Sequence, residues 1–226
     1  MLDNPPHSLL NLNNKNLPKF NIIKPQYDRS KLSPGIVHIG VGNFHRAHLS
    51  WYLHRLMQKN KNLDWGIIGS GVLNYDREMQ HKLKKQDFLT TLIELDPQGN
   101  KNCEIIGPMI DYASVESNNL SLINAMSDSR IRIVSLTVTE GGYFLDGENG
   151  DLDFTNPDIV NDINNPNSPT TVFGAIVYAL NIRRINGYGP ITCLSCDNLI
   201  KNGDKLKQAV IGIANNTNKE LSDWII

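Results

Sequence analysis

The stretch Ile36-Val37-His38-Ile39-Gly40-Val41-Gly42-Asn43-Phe44-His45-Arg46-Ala47-His48 constrains this chain more than any other. An apolar, β-prone run meets two glycines one residue apart, and a helical pattern opens immediately afterwards. Strand, tight glycine turn and helix N-terminus in that order make a cradle for a diphosphate. Gly40 allows the turn, and Gly42 lets backbone approach a ligand with no Cβ in the way. The first free N–H groups of the helix then face the anion, with the positive end of the helix dipole behind them. Arg46 falls in that first turn, in reach of a charge-assisted contact. The spacing departs from G-x-G-x-x-G/A at its last position, which is His45. The spacing alone therefore leaves two readings open, a phosphate cradle and a plain strand-to-helix turn.

The rest of the composition narrows the setting. A chain of 226 residues suits one domain or a large part of a bigger protein, and 40% hydrophobic residues suffice for a core. A net charge of −1 gives no electrostatic case for nucleic acid or an anionic membrane as partner. No apolar run is long enough to span a bilayer, and the Asn-rich start lacks the charged-then-apolar order of a secretory signal. Three cysteines, an odd number, point to a reducing compartment and a cytoplasmic location.

Residues 1–34 read as an irregular N-terminal arm, because Pro5, Pro6, Pro18, Pro25 and Pro34 interrupt any regular element. Residues 35–226 read as one domain. After the strand at 36–39, a helix is expected over 44–59, with Leu49, Tyr52, Leu53 and Leu56 on one face. A second strand at 65–68 enters another glycine turn, and strand–helix–strand in this order is a parallel, right-handed unit. A polar helix is expected over 76–85, then a hairpin of 88–95 with 103–106 across the turn Asp96-Pro97-Gln98-Gly99-Asn100. A helix over 115–126 precedes the strongest strand signal, 131–138, which runs into Thr139-Glu140-Gly141-Gly142. The turn-rich residues 144–169 read as a surface excursion. Thr170 or Thr171 caps a helix to about 186, a strand follows at 191–195, and a last helix runs over 203–226. Alternating strands and helices imply an α/β fold, with a mostly parallel sheet and helices on both faces. Ligands of such sheets sit beyond the carboxyl ends of the strands, where the polar clusters 40–46, 139–142 and 196–198 would converge.

These residues resemble the long-chain mannitol dehydrogenase family of NAD-dependent polyol dehydrogenases, which includes mannitol 2-dehydrogenases and hexuronate reductases. The carrying segments are Gly35-Ile-Val-His-Ile-Gly-Val-Gly-Asn-Phe-His-Arg-Ala-His48, Asp64-Trp-Gly-Ile-Ile-Gly69, the run from Arg132 to Thr139-Glu-Gly-Gly-Tyr143, Thr171-Val-Phe-Gly174, Ser195-Cys-Asp-Asn198 and Asn202-Gly203. The family's fingerprint carries His where others carry Gly or Ala. The resemblance implies a Rossmann-like, doubly wound domain that binds NAD. It implies Gly40, Gly42, Phe44 and Arg46 on the pyrophosphate and nicotinamide side. Asp76 would grip the adenosine ribose, and a carboxylate there accepts from two hydroxyls and repels a 2′-phosphate. Tyr75 departs from members with a second acid at that position. Thr139 and Glu140 would line the nicotinamide crevice, and Asn198 would hold the reacting oxygen of a sugar alcohol or ketose. The catalytic base implied is a lysine in a Lys-x4-Asn-x2-His segment of a carboxyl-terminal domain, and no lysine here has that context. The expectation is thus the cofactor-binding portion of a mannitol/fructose enzyme, inactive by itself, its partner a separate carboxyl-terminal half. The alternatives are a fructuronate/mannonate reductase of the same family and a truncated, non-catalytic NAD-binding module.

Other motifs have plainer readings. His45, His48 and His54 lack the carboxylate spacing of a metal helix, and no metal site is expected. Cys193-Leu-Ser-Cys196 stands without a second pair and reads as structural thiols. Ser70 between glycines does not complete G-x-S-x-G. Arg183-Arg184 reads as the solvated face of a helix. By residue type alone, Glu140 reads as a capping or salt-bridge acid and Asn198 as a turn former.

Overall fold

The computed structural model describes residues 12–15, 17, 22–59, 61–73, 75–147 and 150–226. Strand β1 (Pro34–Ile39) is buried along its whole length. A π-helical turn (His45–Leu49) runs into α1 (Ser50–Met57), followed by β2 (Gly66–Ser70) and α2 (Asp76–Lys85). Strands β3 (Thr90–Leu95) and β4 (Lys101–Ile106) form the expected antiparallel hairpin, with Thr90 opposite Ile106. Then come β5 (Met109–Ala113), α3 (Leu120–Ser127), β6 (Ile133–Leu136) and a 3-10 turn (Glu140–Tyr143). The chain goes on through α4 (Pro157–Asn164), α5 (Val172–Ile185), β7 (Thr192–Ser195), α6 (Asn202–Thr217) and α7 (Lys219–Ile225).

Five strands make one parallel sheet in the order β5-β2-β1-β6-β7. Strands β2 and β5 step away from β1 on one side, and the chain then restarts with β6 on the other. The sheet's switch point therefore lies between β1 and β6. Alternation along β1 feeds two cores. Val37 and Ile39 pack with α3, α5 and α6 through Ile123, Phe173 and Leu206. Ile36 faces the opposite way, with Ile67, Leu83 and Met109, and with Leu53 and Met79 from α1 and α2 packed against them. This is the doubly wound α/β arrangement, with helices on both faces.

Several elements differ from expectation. Strand β5 was unforeseen: five residues with Asp111 in the middle carry little β signal, and only pairing with β2 defines it. The helix expected over 115–126 starts at Leu120. The excursion at 144–169 contains α4, whose Asn156 side chain accepts from Asp158 N with proline in the first turn. The last helix divides at Asn218, where φ of −155° breaks the ladder and the side chain caps α7 by accepting from Leu221 N. Of the arm at 1–34, residues 1–11, 16 and 18–21 lie outside the described residues. Its described part is tied down: Ile23 pairs with Glu104, and Arg29 donates to the carbonyls of Gly107, Asp87 and Met109.

Candidate functional site

The loop after β1 is shaped by its neighbour after β6. Gly40 has φ of +95°, and a Cβ there would stand 2.2 Å from the Thr137 carbonyl oxygen. Only glycine fits that backbone. The turn is closed by Gly40 N donating to Ser70 O and Gly42 N donating to Gly40 O, both at 2.8 Å. Thr137 Oγ1 also donates to Gly40 O, at 2.9 Å. Gly42 is different: among the described residues the one atom near its would-be Cβ is Gly40 O, at 4.0 Å, so its outer side is open there.

Beneath this loop two histidine rings stack, His38 and His45, with centroids 4.7 Å apart. His38 Nδ1 pairs with Ser135 Oγ at 2.8 Å and Nε2 with Gly40 O at 3.1 Å. Burial pushes the His38 pKa down to about 4 and holds His45 well below the usual histidine range. Both rings are neutral props of the glycine turn at neutral pH. His45 is the residue that broke the usual fingerprint, and its position explains why glycine is not needed there: the π-helical turn widens the backbone and buries the ring against His38.

A cleft of about 930 Å³ opens along the carboxyl edge of the sheet. Gly40, Gly42, Phe44, Asp76 and Thr139 all wall it, joined by Thr170 and Thr171 at the start of α5. Asp76 Oδ2 accepts from Val72 N at 2.7 Å and Leu73 N at 2.9 Å, which fixes the loop after β2. Three expected site residues are not among those walling the cleft. Arg46 turns back, donating from Nε to Gly42 O at 3.2 Å and from a terminal nitrogen to Asn43 Oδ1 at 2.8 Å. Glu140 is exposed at the head of the 3-10 turn, and Asn198 is exposed just past β7. Both nevertheless sit at the same sheet edge, since β6 and β7 are parallel neighbours.

Two acids that sequence reasoning gave no role hold the walls together. Asp197 Oδ1 accepts from Thr139 N at 2.8 Å, and Oδ2 accepts from Val138 N at 3.1 Å and Tyr143 OH at 2.9 Å. Burial raises the Tyr143 phenol above its usual range, so it remains a donor. Asp162, 1% exposed on α4, receives the N–H and hydroxyl groups of both Thr170 and Thr171. The other motifs have structural roles: His54 is buried against Tyr27 OH at 2.8 Å, and burial pushes the free Cys193 thiol up to about 11. Arg183 corrects the expectation of a solvated face. It is 2% exposed, and its guanidinium donates to the carbonyls of Gly189, Asp128 and Met126.

A parallel sheet in this order, with a glycine turn at the switch point and a walled crevice beyond it, is a doubly wound domain of Rossmann type. Residues 34–226 match the family described as the mannitol dehydrogenase Rossmann domain. The chain belongs to the mannitol dehydrogenase family. The mannitol 2-dehydrogenase of Cereibacter sphaeroides is 51% identical over 204 residues, which is 90% of this chain and 42% of that protein. The D-mannonate oxidoreductase of Escherichia coli K12 is 40% identical over 212 residues, 93% of this chain and 43% of that protein. Among solved structures, the Pseudomonas fluorescens mannitol 2-dehydrogenase ternary complex with NAD and D-mannitol superposes with a TM-score of 0.88. It is 41% identical, over 95% of this chain and 44% of that one. The chain thus spans less than half the length of these relatives. No described helix is long and apolar enough to cross a membrane.

Proposed function

We propose that the cleft binds NAD, and that the chain is the cofactor-binding portion of a polyol oxidoreductase acting between a sugar alcohol such as mannitol and its ketose. The observation that carries this is the shared wall: Gly40, Gly42, Phe44, Asp76 and Thr139 border one crevice at the sheet's switch point. The residues fit the cofactor. The open side of Gly42 leaves room for a pyrophosphate against backbone N–H groups. With both loop N–H groups on Asp76 Oδ2, the other carboxylate oxygen has no protein partner among the described residues and is available to ribose hydroxyls.

When bound, NAD supplies the hydride acceptor. The protein's own tasks are to hold it and to manage the alcohol oxygen. Phe44 offers an apolar wall, Arg46 stiffens the glycine turn, and Thr139, with Glu140 next to it at the same sheet edge, would border the nicotinamide end. From the sheet edge past β7, the Asn198 amide would donate to the reacting oxygen, and one such donor is worth about 3–4 kcal/mol in the transition state. A proton must also leave that oxygen, and the family's lysine segment does not occur in these 226 residues. The chain alone is therefore expected to bind NAD without oxidising mannitol, and to need a carboxyl-terminal half for turnover. The similarity to a D-mannonate oxidoreductase supports a second reading, a hexuronate reductase of the same family.

Calorimetric titration tests the cofactor reading. The wild-type chain should bind NAD with a saturable heat, and Asp76→Ala should weaken it by roughly 10- to 100-fold, the value of a charged hydrogen bond. No binding heat for the wild type would remove the reading. Production of NADH from mannitol by the chain alone would remove its inactive part.

A further inference from the structure

Asp197 belongs to the loop after β7, yet its carboxylate is committed to the loop after β6. It accepts from Thr139 N at 2.8 Å, Val138 N at 3.1 Å and Tyr143 OH at 2.9 Å. Its own main chain is fixed from a third direction, because Asn202 Nδ2 at the start of α6 donates to Asp197 O at 2.9 Å and to Ser195 O at 3.3 Å. Tyr143 OH also pairs with Ser195 Oγ, at 2.5 Å.

What this clasp holds is unusual. Thr139 has φ of +66° and ψ of 168°, a conformation that a β-branched residue rarely adopts. Such backbone persists only when its surroundings over-determine it, and such residues cluster where a ligand is gripped. Here Val138, Thr139, Gly141 and Gly142 all wall the cleft. They do so on the β6 side of the switch point, across from Asp76 on the β2 side.

We propose that Asp197 is a positioning residue, which keeps the Thr139–Gly142 backbone against the nicotinamide half of the bound dinucleotide. This rests on the cofactor reading above and adds a role that neither the glycine turn nor Asp76 supplies. The two halves of a doubly wound sheet each take one mononucleotide. Asp76 and the glycine turn serve the adenosine and pyrophosphate, and the Asp197 clasp serves the remaining half. Replacing the carboxylate by an amide places an N–H₂ group or a single acceptor before three donors. The loop then relaxes toward ordinary backbone angles and withdraws from the cleft.

The test compares NAD with ADP, which lacks the nicotinamide half, on the full chain by calorimetry, with circular dichroism as a check on folding. Asp197→Asn should lower NAD affinity at least tenfold while ADP affinity stays within twofold of wild type. Equal losses for both ligands would reduce Asp197 to a general structural role, and an unchanged NAD affinity would overturn the proposal outright. If Asp197→Asn does not fold, Asn202→Ala carries the same comparison, since it frees the Asp197 main chain and leaves the carboxylate. It should give a smaller loss, about threefold, again confined to NAD, and no loss or an equal loss for ADP overturns the proposal. A wild-type chain that binds neither ligand would fail differently, by removing the cofactor reading itself.

Discussion

Asp162 Oδ2 accepts the Thr171 hydroxyl at 2.5 Å and the Thr171 N–H at 2.9 Å, while Oδ1 takes the same two groups of Thr170. One buried carboxylate on α4 thereby fixes the start of α5, where Thr170 and Thr171 wall the cleft. Thr171 Oγ1 in turn accepts from Gly174 N at 3.0 Å, capping α5. Gly174 has to be glycine, since a Cβ there would meet Asp162 Oδ2 at 2.2 Å.

Asp162→Ala strips four donors of a charged acceptor, two of them on the buried Thr171 and two on the exposed Thr170. Orphaned buried donors cost about 1–3 kcal/mol each when they cannot rearrange, so a total loss of about 3 kcal/mol or more is expected. In a chain of this size that lowers the thermal midpoint by roughly 6–12 °C. Scanning calorimetry of the variant checks it, and a shift below about 2 °C would show that the four bonds are replaceable.

Gly40 and Gly42 look equivalent in sequence and should behave oppositely. Gly40→Ala forces a Cβ into the Thr137 carbonyl at a φ of +95°, and strained backbone of that kind costs about 1–3 kcal/mol before the overlap is counted. Its stability should fall. Gly42→Ala meets no atom of the described residues closer than 4.0 Å and should leave stability within about 0.5 kcal/mol. Its methyl instead stands where the proposed pyrophosphate would lie, so NAD binding should drop tenfold or more. Urea unfolding and NAD titration on both variants separate the two effects, and a stable Gly40→Ala chain would contradict the geometry.

The parts of this fold that could be read in the sequence were those fixed by local chemistry. The apolar run of β1, the glycines after it and a threonine cap at 170 or 171, which the structure assigns to Thr171, all declare themselves within a few residues. What escaped depends on distant partners. Asp197 serves Val138 and Thr139, 59 and 58 residues away, and Asp162 was lost in a segment rich in turn residues. The site was legible as a set of loops at one sheet edge, but not which side chains turn inward: Arg46 folds back on its own loop, which residue type could not reveal. The π-helical turn at His45 has no counterpart in composition or spacing at all.

Arg183 shows how a local signal can mislead. Next to Arg184 it looked like a solvated pair, yet α5 is apolar around most of its circumference, and a helix of that kind is buried on all sides. Its guanidinium serves the carbonyls of Asp128 at 2.6 Å, Gly189 at 3.0 Å and Met126 at 3.3 Å. Arg183→Met should therefore cost about 2–4 kcal/mol, from carbonyls left without a donor. Arg184→Ala breaks a pair to an exposed Glu220 at 3.6 Å and should cost under about 1 kcal/mol. Paired urea titrations check the difference, and similar values for the two would place Arg183 back on the surface.

The stacked histidines make stability depend on pH in a defined direction. Burial lowers the His38 pKa to about 4, from 6.5 for an exposed ring, and burial together with the neighbours His38 and Arg46 also holds His45 well below that ordinary value. Between those limits the unfolded chain binds protons that the folded chain does not, so unfolding free energy must fall as pH falls from 6.5 toward 4. Above 6.5 both states carry neutral rings, and this contribution is flat. Across the whole window the His38 ring alone is worth about 3 kcal/mol. His38→Gln should flatten the acid side of the stability profile by about one proton, while the wild-type His38 ring, followed by NMR, should stay neutral at pH 5. A ring that titrates near its exposed value would mean that the glycine turn is propped by something other than this buried, uncharged pair.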